Sequence, residues 1–206
     1  MKILHLSDTH GAHHRLRNLP KADVVVHSGD FCMVGEEREA LDFLNWFCGL
    51  PYRHKIFICG NHDVCLYGAN VDGLPDNVYH LNNSGVEIEG FKFYGVPLPV
   101  LNVSDRIVRK YAAIPEDTDI LATHSPAYGI LDFEDGVNYG SKELLESVVR
   151  VYPIAHLFGH IHLQHGIMEQ NGIIYSNGAI MSDDYTRLNK PNYYCPLNRK
   201  LFSPTY

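Results

Sequence analysis

The sequence predicts an α/β layered sandwich, and three observations carry that expectation. Five short apolar runs, most of them rich in β-branched residues, read as strands buried on both faces. Two longer stretches have helical spacing and helix-end signals. Two alternating segments fold over a Glu-Gly or an Asn-Gly turn. Strands that alternate first with helices and then with hairpins build stacked layers.

The strands, in order, are "KILHL" (2–6), "DVVVH" (23–27), "KIFIC" (55–59), "DILAT" (119–123) and "IAHLF" (154–158). The first helix is "EEREALDFLNWFCGL" (36–50), opened by acidic residues and closed before Pro51. Leu41, Leu44 and Phe47 have core spacing within it, so Trp46 and the Phe residues are packing groups. The second helix, "SKELLESVVRV" (141–151), takes Ser141 as its cap. "VEIEGFKFYGV" (86–96) and "HGIMEQNGIIYS" (165–176) are hairpins. The tail from about residue 185 is rich in Pro and Asn and reads as irregular, with room for one edge strand. No repeat, low-complexity tract or linker divides the chain, so residues 1–206 are read as one domain.

Composition bounds the function. With 45% hydrophobic residues over 206 positions, a core forms without disulfides or structural metal. A formal net charge of −7 argues against a surface that tracks nucleic-acid phosphates. It does not exclude a small phosphate ester, because a metal can reverse the sign of one cleft. Five Cys without a CxxC pair read as free thiols in a reducing compartment. "MKILHLSDTH" is no secretory signal and no stretch reaches the length of a membrane span, so a cytoplasmic protein without membrane contact is expected. Thirteen His stand out.

The polar tips of the strands explain them. After the five runs come "SDTH", "SGD", "GNHD", "HSP" and "GHIH". Ligands of open α/β sheets sit beyond the carboxyl ends of the strands. These five ends deliver Asp8 and His10, Asp30, Asn61 and His62, His124, and His160 with His162. Loops that only reverse the chain draw Gly, Pro, Ser and Asn, whereas these draw carboxylate and imidazole. In an extended segment, residues two apart share a face, so Asp8 with His10 and His160 with His162 can each act as a pair. Gly29, Gly60 and Gly159 let backbone pass close to a crowded centre. A mixed oxygen and nitrogen donor set without Cys suits Mn, Fe, Zn, Ni or Co and is too rich in imidazole for Ca.

Asp8-x-His10, Gly29-Asp30, "GNHD" (60–63), His124 and "GHIH" (159–162) resemble, in order and spacing, the motifs of the calcineurin-like metallophosphoesterase superfamily. The agreement covers residues 8 to 162 and runs on past "SNGA" (176–179), which resembles the small single-domain phosphodiesterase branch. One such motif is a weak signal, and five in order are a strong one. The resemblance implies a four-layer α-β-β-α sandwich with two metal ions between its sheets. By motif position, Asp8, His10 and His162 would hold one ion. Asn61, His124 and His160 would hold the other, Asp30 would bridge, and His62 would be the catalytic, substrate-contacting histidine beside Asn61.

Charge arithmetic agrees with two ions. Dications about 3.5–4 Å apart repel by roughly 15–20 kcal/mol at an effective dielectric near 20. Asp8, Asp30 and a bridging hydroxide offset most of that and leave about one positive charge facing the incoming phosphate. The expected reaction is hydrolysis of a small phosphate diester, such as a cyclic nucleotide, by that hydroxide, with manganese the first choice of metal. His62 would steady the phosphate or protonate the leaving oxygen, with Asp63 or another carboxylate orienting it. The alternatives are a phosphomonoesterase or protein phosphatase, a nuclease, and a non-catalytic scaffold. The acidic balance argues against the nuclease, and the complete set of motif residues against the scaffold.

Eight further histidines take plainer readings. His5, His27 and His156 lie in apolar runs and read as structural, while His54 and His80 flank strands as surface or turn residues. His13 and His14 read as a solvated loop, and His165 is the best spare donor. "AYGILDF" (127–133) is expected on the substrate side or as a Gly turn, and Asp105, Arg106 and Arg109 on a solvated helix face.

Overall fold

The computed structural model describes residues 1–67, 69, 71–97, 105–196 and, by backbone alone, 200–201. The five predicted strands are β1 (Ile3–Leu6), β2 (Val24–His27), β3 (His54–Phe57), β7 (Ile120–Thr123) and β10 (Ala155–Phe158). One sheet has the order β14 (Lys200–Leu201), β13 (Asn192–Cys195), β1, β2, β3, β4 (Val78–His80), the other β11 (Gly166–Gln170), β12 (Ile173–Asn177), β10, β7, β6 (Phe91–Val96), β5 (Ser84–Ile88). In the first, β1, β2, β3 and β4 (Val78–His80) run parallel. In the second, β6 (Phe91–Val96), β7, β10 and β12 (Ile173–Asn177) do so.

Burial on both faces of each strand explains the continuous apolar runs. Side chains alternate along a strand. In β2, Val24 and Val26 therefore point inward to meet Phe93, Ile120 and Leu157 of the facing sheet. Val25 points outward and packs under α1 (Glu37–Cys48) with Phe43 and Phe47. On the far side, Leu121 and Phe158 pack under α2 (Asp105–Ala112) and α3 (Lys142–Val151) through Ile107, Tyr111, Leu144 and Val148. The order helix, sheet, sheet, helices is the expected four-layer α-β-β-α sandwich. Each fully buried Phe or Leu contributes about 1.5–3 kcal/mol.

Local signals set most element ends. Ser141 Oγ accepts the Leu144 N–H at 3.0 Å and caps α3. Glu89-Gly90 and Asn171-Gly172 both have positive φ (50° and 80°, 52° and 77°), as a two-residue hairpin turn requires. They join β5 (Ser84–Ile88) to β6 and β11 (Gly166–Gln170) to β12. Asp135-Gly136 carries the same signal, with φ of 48° and 81°, and joins β8 (Phe133–Glu134) to β9 (Val137–Asn138). Its strands are too short to show a pattern.

Two expectations need correction. The face of α1 that meets the core is Ala40, Phe43 and Phe47, and Leu41 is exposed, because the acidic start fixed the helix but not its rotation. The tail expected to be irregular carries β13 (Asn192–Cys195), which pairs antiparallel with β1 inside the sheet, with β14 (Lys200–Leu201) beyond it. Buried Tyr194 joins the core between the sheets, which rewards that pairing. Tail residues 197–199 and 202–206 lie outside the described residues. Asp105, Arg106 and Arg109 are exposed on α2.

Candidate metal centre

Both sheets end their parallel strands at one rim, and the motif residues meet there. Asp8 and His10 follow β1, Asp30 follows β2, Asn61 and His62 follow β3, His124 follows β7, and His160 and His162 follow β10. Ligand-type atoms of Asp8, His10 and His162 form one group within 4.8 Å, and those of Asp30, His124 and His160 a second. Asn61 Oδ1 lies 3.0 Å from His124 Nε2 and so joins the second. Asp30 links the two, its Oδ2 3.2 Å from His124 Nε2 and 4.0 Å from His10 Nε2.

Ring orientation decides what these histidines can do. His10 Nδ1 donates to the Cys32 carbonyl at 3.1 Å and His124 Nδ1 to the Ser28 carbonyl at 2.9 Å. His162 Nδ1 faces the Ser182 carbonyl at 3.5 Å. A proton held at Nδ1 leaves the Nε2 lone pair for the centre, the usual support of a metal-bound imidazole. His10 Nε2 and His162 Nε2 stand 3.3 Å apart, a poor arrangement for two rings unless a cation lies between such donors. The residues present therefore fit two divalent transition ions.

The electrostatics point the same way. Burial opposes ionisation of Asp8, yet the His162, His124 and His10 imidazoles hold its carboxyl far below the usual range. Burial would keep His124 neutral, but Asp30 and then Asp8 push it up to about 10. The rim thus favours positive charge.

The backbone is strained to achieve this. Asp8, His10, Asp30 and His160 have φ of 51°, 42°, 56° and 74°, a region that costs a non-Gly residue about 1–3 kcal/mol. The motif glycines make room. A Cβ on Gly60 would lie 2.2 Å from Asp30 Oδ1, and one on Gly159 2.0 Å from Asp8 Oδ2.

His62 sits at the edge of this centre. Its Nδ1 donates to the Met33 carbonyl at 2.7 Å, and its own N–H donates to Asp30 Oδ1 at 2.7 Å. Its ring meets that of His10 edge-on at 4.8 Å. Asp63 does not orient it. The Asp63 carboxylate instead accepts N–H groups of Asp30, Gly60 and Cys32 at 2.8, 2.8 and 2.9 Å, tying the β2 and β3 loops together. Burial, then the charge of Asp30, pushes this carboxyl up to about 7, while the Gly60 and Cys32 donors pull it down. Asp63→Ala leaves three buried N–H groups without that acceptor and is expected to cost on the order of 3 kcal/mol. Urea unfolding of the metal-free protein checks this, and an unchanged midpoint would contradict it.

Other residues take the places their surroundings give them. His5 lies between Ser176 and Ser28, His27 meets Thr9 and His156 meets Thr123, and burial holds all three at about 3, neutral and structural. His165 bonds the Lys190 carbonyl and, among the described residues, joins no donor group. His13 is buried, contrary to a solvated loop. The Asp132 carboxylate closes the 127–133 loop on the Gly129 and Gly140 N–H groups. Gln164, just past His162, donates to the Phe133 carbonyl at 2.8 Å and so holds the β8–β9 hairpin beside the centre. Tyr185 was not foreseen. Its ring lies 5.2 Å from that of His10 and 5.3 Å from that of His162. All five cysteines are free. Among the described residues, no helix is long and apolar enough to cross a membrane.

Comparison with known proteins adds the family. The calcineurin-like phosphoesterase profile matches residues 1–164. Metallophosphoesterase domain-containing protein 1 of Homo sapiens is 32% identical over 222 residues, covering 90% of this chain and 68% of that protein. A UPF0046 protein of Caenorhabditis elegans is 35% identical over 198 residues, covering 81% of this chain and 70% of its own. Another from the same worm, 32% identical, covers 82% and 66%. The chain therefore spans about two thirds of the length of these curated relatives. Among solved structures, TT1561 of Thermus thermophilus superposes with a TM-score of 0.68 at 15% identity over 98% of this chain and 96% of that one. A novel archaeal phosphodiesterase gives a TM-score of 0.56 at 18% identity over 97% and 96%. At such identities the likeness is one of fold.

Proposed function

The chain belongs to the calcineurin-like phosphoesterase family, and on that premise we propose that it hydrolyses small phosphate diesters, such as cyclic nucleotides, with two divalent ions. The observation that carries the reading is the pair of donor groups joined through Asp30. Asp8, His10 and His162 hold one ion, and Asn61, His124 and His160 the other. Manganese is the preferred metal. The bound ions supply Lewis-acid polarisation of the phosphoryl oxygens and an acidified water as nucleophile. His62, its Nδ1–H fixed on the Met33 carbonyl, leaves Nε2 free, and as the imidazolium, with a second proton at Nε2, it would deliver that proton to the leaving oxygen and return to the neutral ring. Residues 1–206 act as one domain, in the cytoplasm.

Charge supports the diester over the monoester. Burial, then Asp183 and Asp135, raises the Glu134 carboxyl, which lies close enough to His162 to feel it. An acidic rim of this kind disfavours a dianionic monoester more than a monoanionic diester. The archaeal fold neighbour named a phosphodiesterase weighs the same way. A panel of aryl mono- and diesters and 2′,3′- and 3′,5′-cyclic nucleotides, each with Mn, Ni, Zn and Mg, tests the reading. Diester turnover with manganese is expected to exceed monoester turnover at least about tenfold, a barrier difference near 1.4 kcal/mol. Faster monoester hydrolysis would favour the phosphomonoesterase.

A further inference from the structure

A second convergence of metal-type donors lies outside the Asp30 centre. His13 and His14 belong to the 3-10 turn Ala12–Arg15, which follows the Asp8–His10 loop, and Asp42 stands on α1. Ligand-type atoms of these three residues lie within 4.8 Å of one another. Both imidazoles aim Nε2 at one oxygen, with His13 Nε2 3.2 Å and His14 Nε2 2.9 Å from Asp42 Oδ2.

As a hydrogen-bonded cluster this is lopsided. Both rings crowd Oδ2, and among the described residues none bonds Oδ1. His13 Nδ1 is buried without a partner, so its ring proton lies at Nε2 on Asp42 Oδ2, where an ion would take its place. As a ligand set the same spacing is apt. Donors about 2.0–2.2 Å from a tetrahedral ion stand roughly 3.2–3.6 Å from each other, so the observed distances need open by only a few tenths of an ångström. We propose that His13, His14 and Asp42 bind a divalent transition ion that favours imidazole (Zn²⁺, Ni²⁺ or Cu²⁺), with water completing its coordination. Two nitrogens and one carboxylate oxygen without thiolate select such ions over Mg²⁺ or Ca²⁺. The His14 and Asp42 side chains are 57% and 55% exposed, so an ion reaches them from solvent. Once bound, it ties the turn after His10 to α1.

The chain carries its own reporter. Its single Trp, Trp46, lies with its ring 5.1 Å from that of His13. In manganese-loaded protein titrated with Cu²⁺, Trp46 emission falls in a saturable step at one ion per chain. His14→Ala and Asp42→Asn, at exposed positions outside the Asp30 centre, weaken that step at least about tenfold, the scale even an outer-shell partner commands. An unsaturable decline in the wild type, or equal quenching in the variants, overturns the site. Neither result depends on catalytic turnover.

Discussion

An Asp30→Asn variant loaded with manganese, which the His13–His14–Asp42 group does not select, binds at most one ion per chain and loses turnover by at least about 10²–10³-fold, the cost of one preorganised electrostatic contact. Asparagine preserves the shape, so the test isolates charge. Asp30 is buried, with one oxygen toward His124 and His10 and the other on the His62 N–H. Two dications at about 3.5–4 Å repel by roughly 15–20 kcal/mol at an effective dielectric near 20. Without the shared carboxylate that repulsion expels one ion. The amide is also ill-suited to the geometry, since its NH₂ would face either the His62 N–H or a ligand imidazole. The metal-free variant should unfold below the wild-type midpoint at neutral pH, because the lost charge is one that His124 favours in the folded state. Metal analysis after dialysis, read beside kcat, checks the prediction. Two retained ions would contradict a bridging role.

His62→Ala separates chemistry from metal binding. Both ions remain bound, while kcat on alkyl diesters falls by about 10²–10⁴-fold, the range of a positioned general acid. A p-nitrophenyl leaving group needs little protonation and should lose far less. The contrast rests on His62 standing at the edge of the centre, its Nδ1 held on the Met33 carbonyl, while the ring keeps a donor atom within 4.8 Å of those of His10 and Asp30. The half-buried His62 ring belongs to none of the hydrophobic clusters, so its removal leaves the core untouched. Equal losses on both leaving groups, or departure of an ion, would refute the acid role.

How much of this was legible follows from what each feature is made of. The strands showed because burial on both faces demands unbroken apolar runs, as in Val24, Val25 and Val26. The donors showed because carboxylate and imidazole recur at strand ends where plain turns would not use them. Features built from backbone left no trace. The Met33, Cys32 and Ser28 carbonyls that fix His62, His10 and His124 are the same chemical group in every residue. Asp63 was visible as a neighbour of His62, but its three N–H partners exist only once β2 and β3 lie side by side. Tyr185 belongs to a polar stretch and reaches the centre through a chain reversal at φ 57° that no local pattern announces. The pairing of β13 with β1 joins the two ends of the chain, beyond any window of periodicity.

The anomalous difference map of a crystal soaked in manganese tests the central claim most directly. Two peaks are expected, one among Asp8, His10 and His162 and one among Asn61, His124 and His160, both touching Asp30. A single peak, or peaks only away from Asp30, would contradict the account.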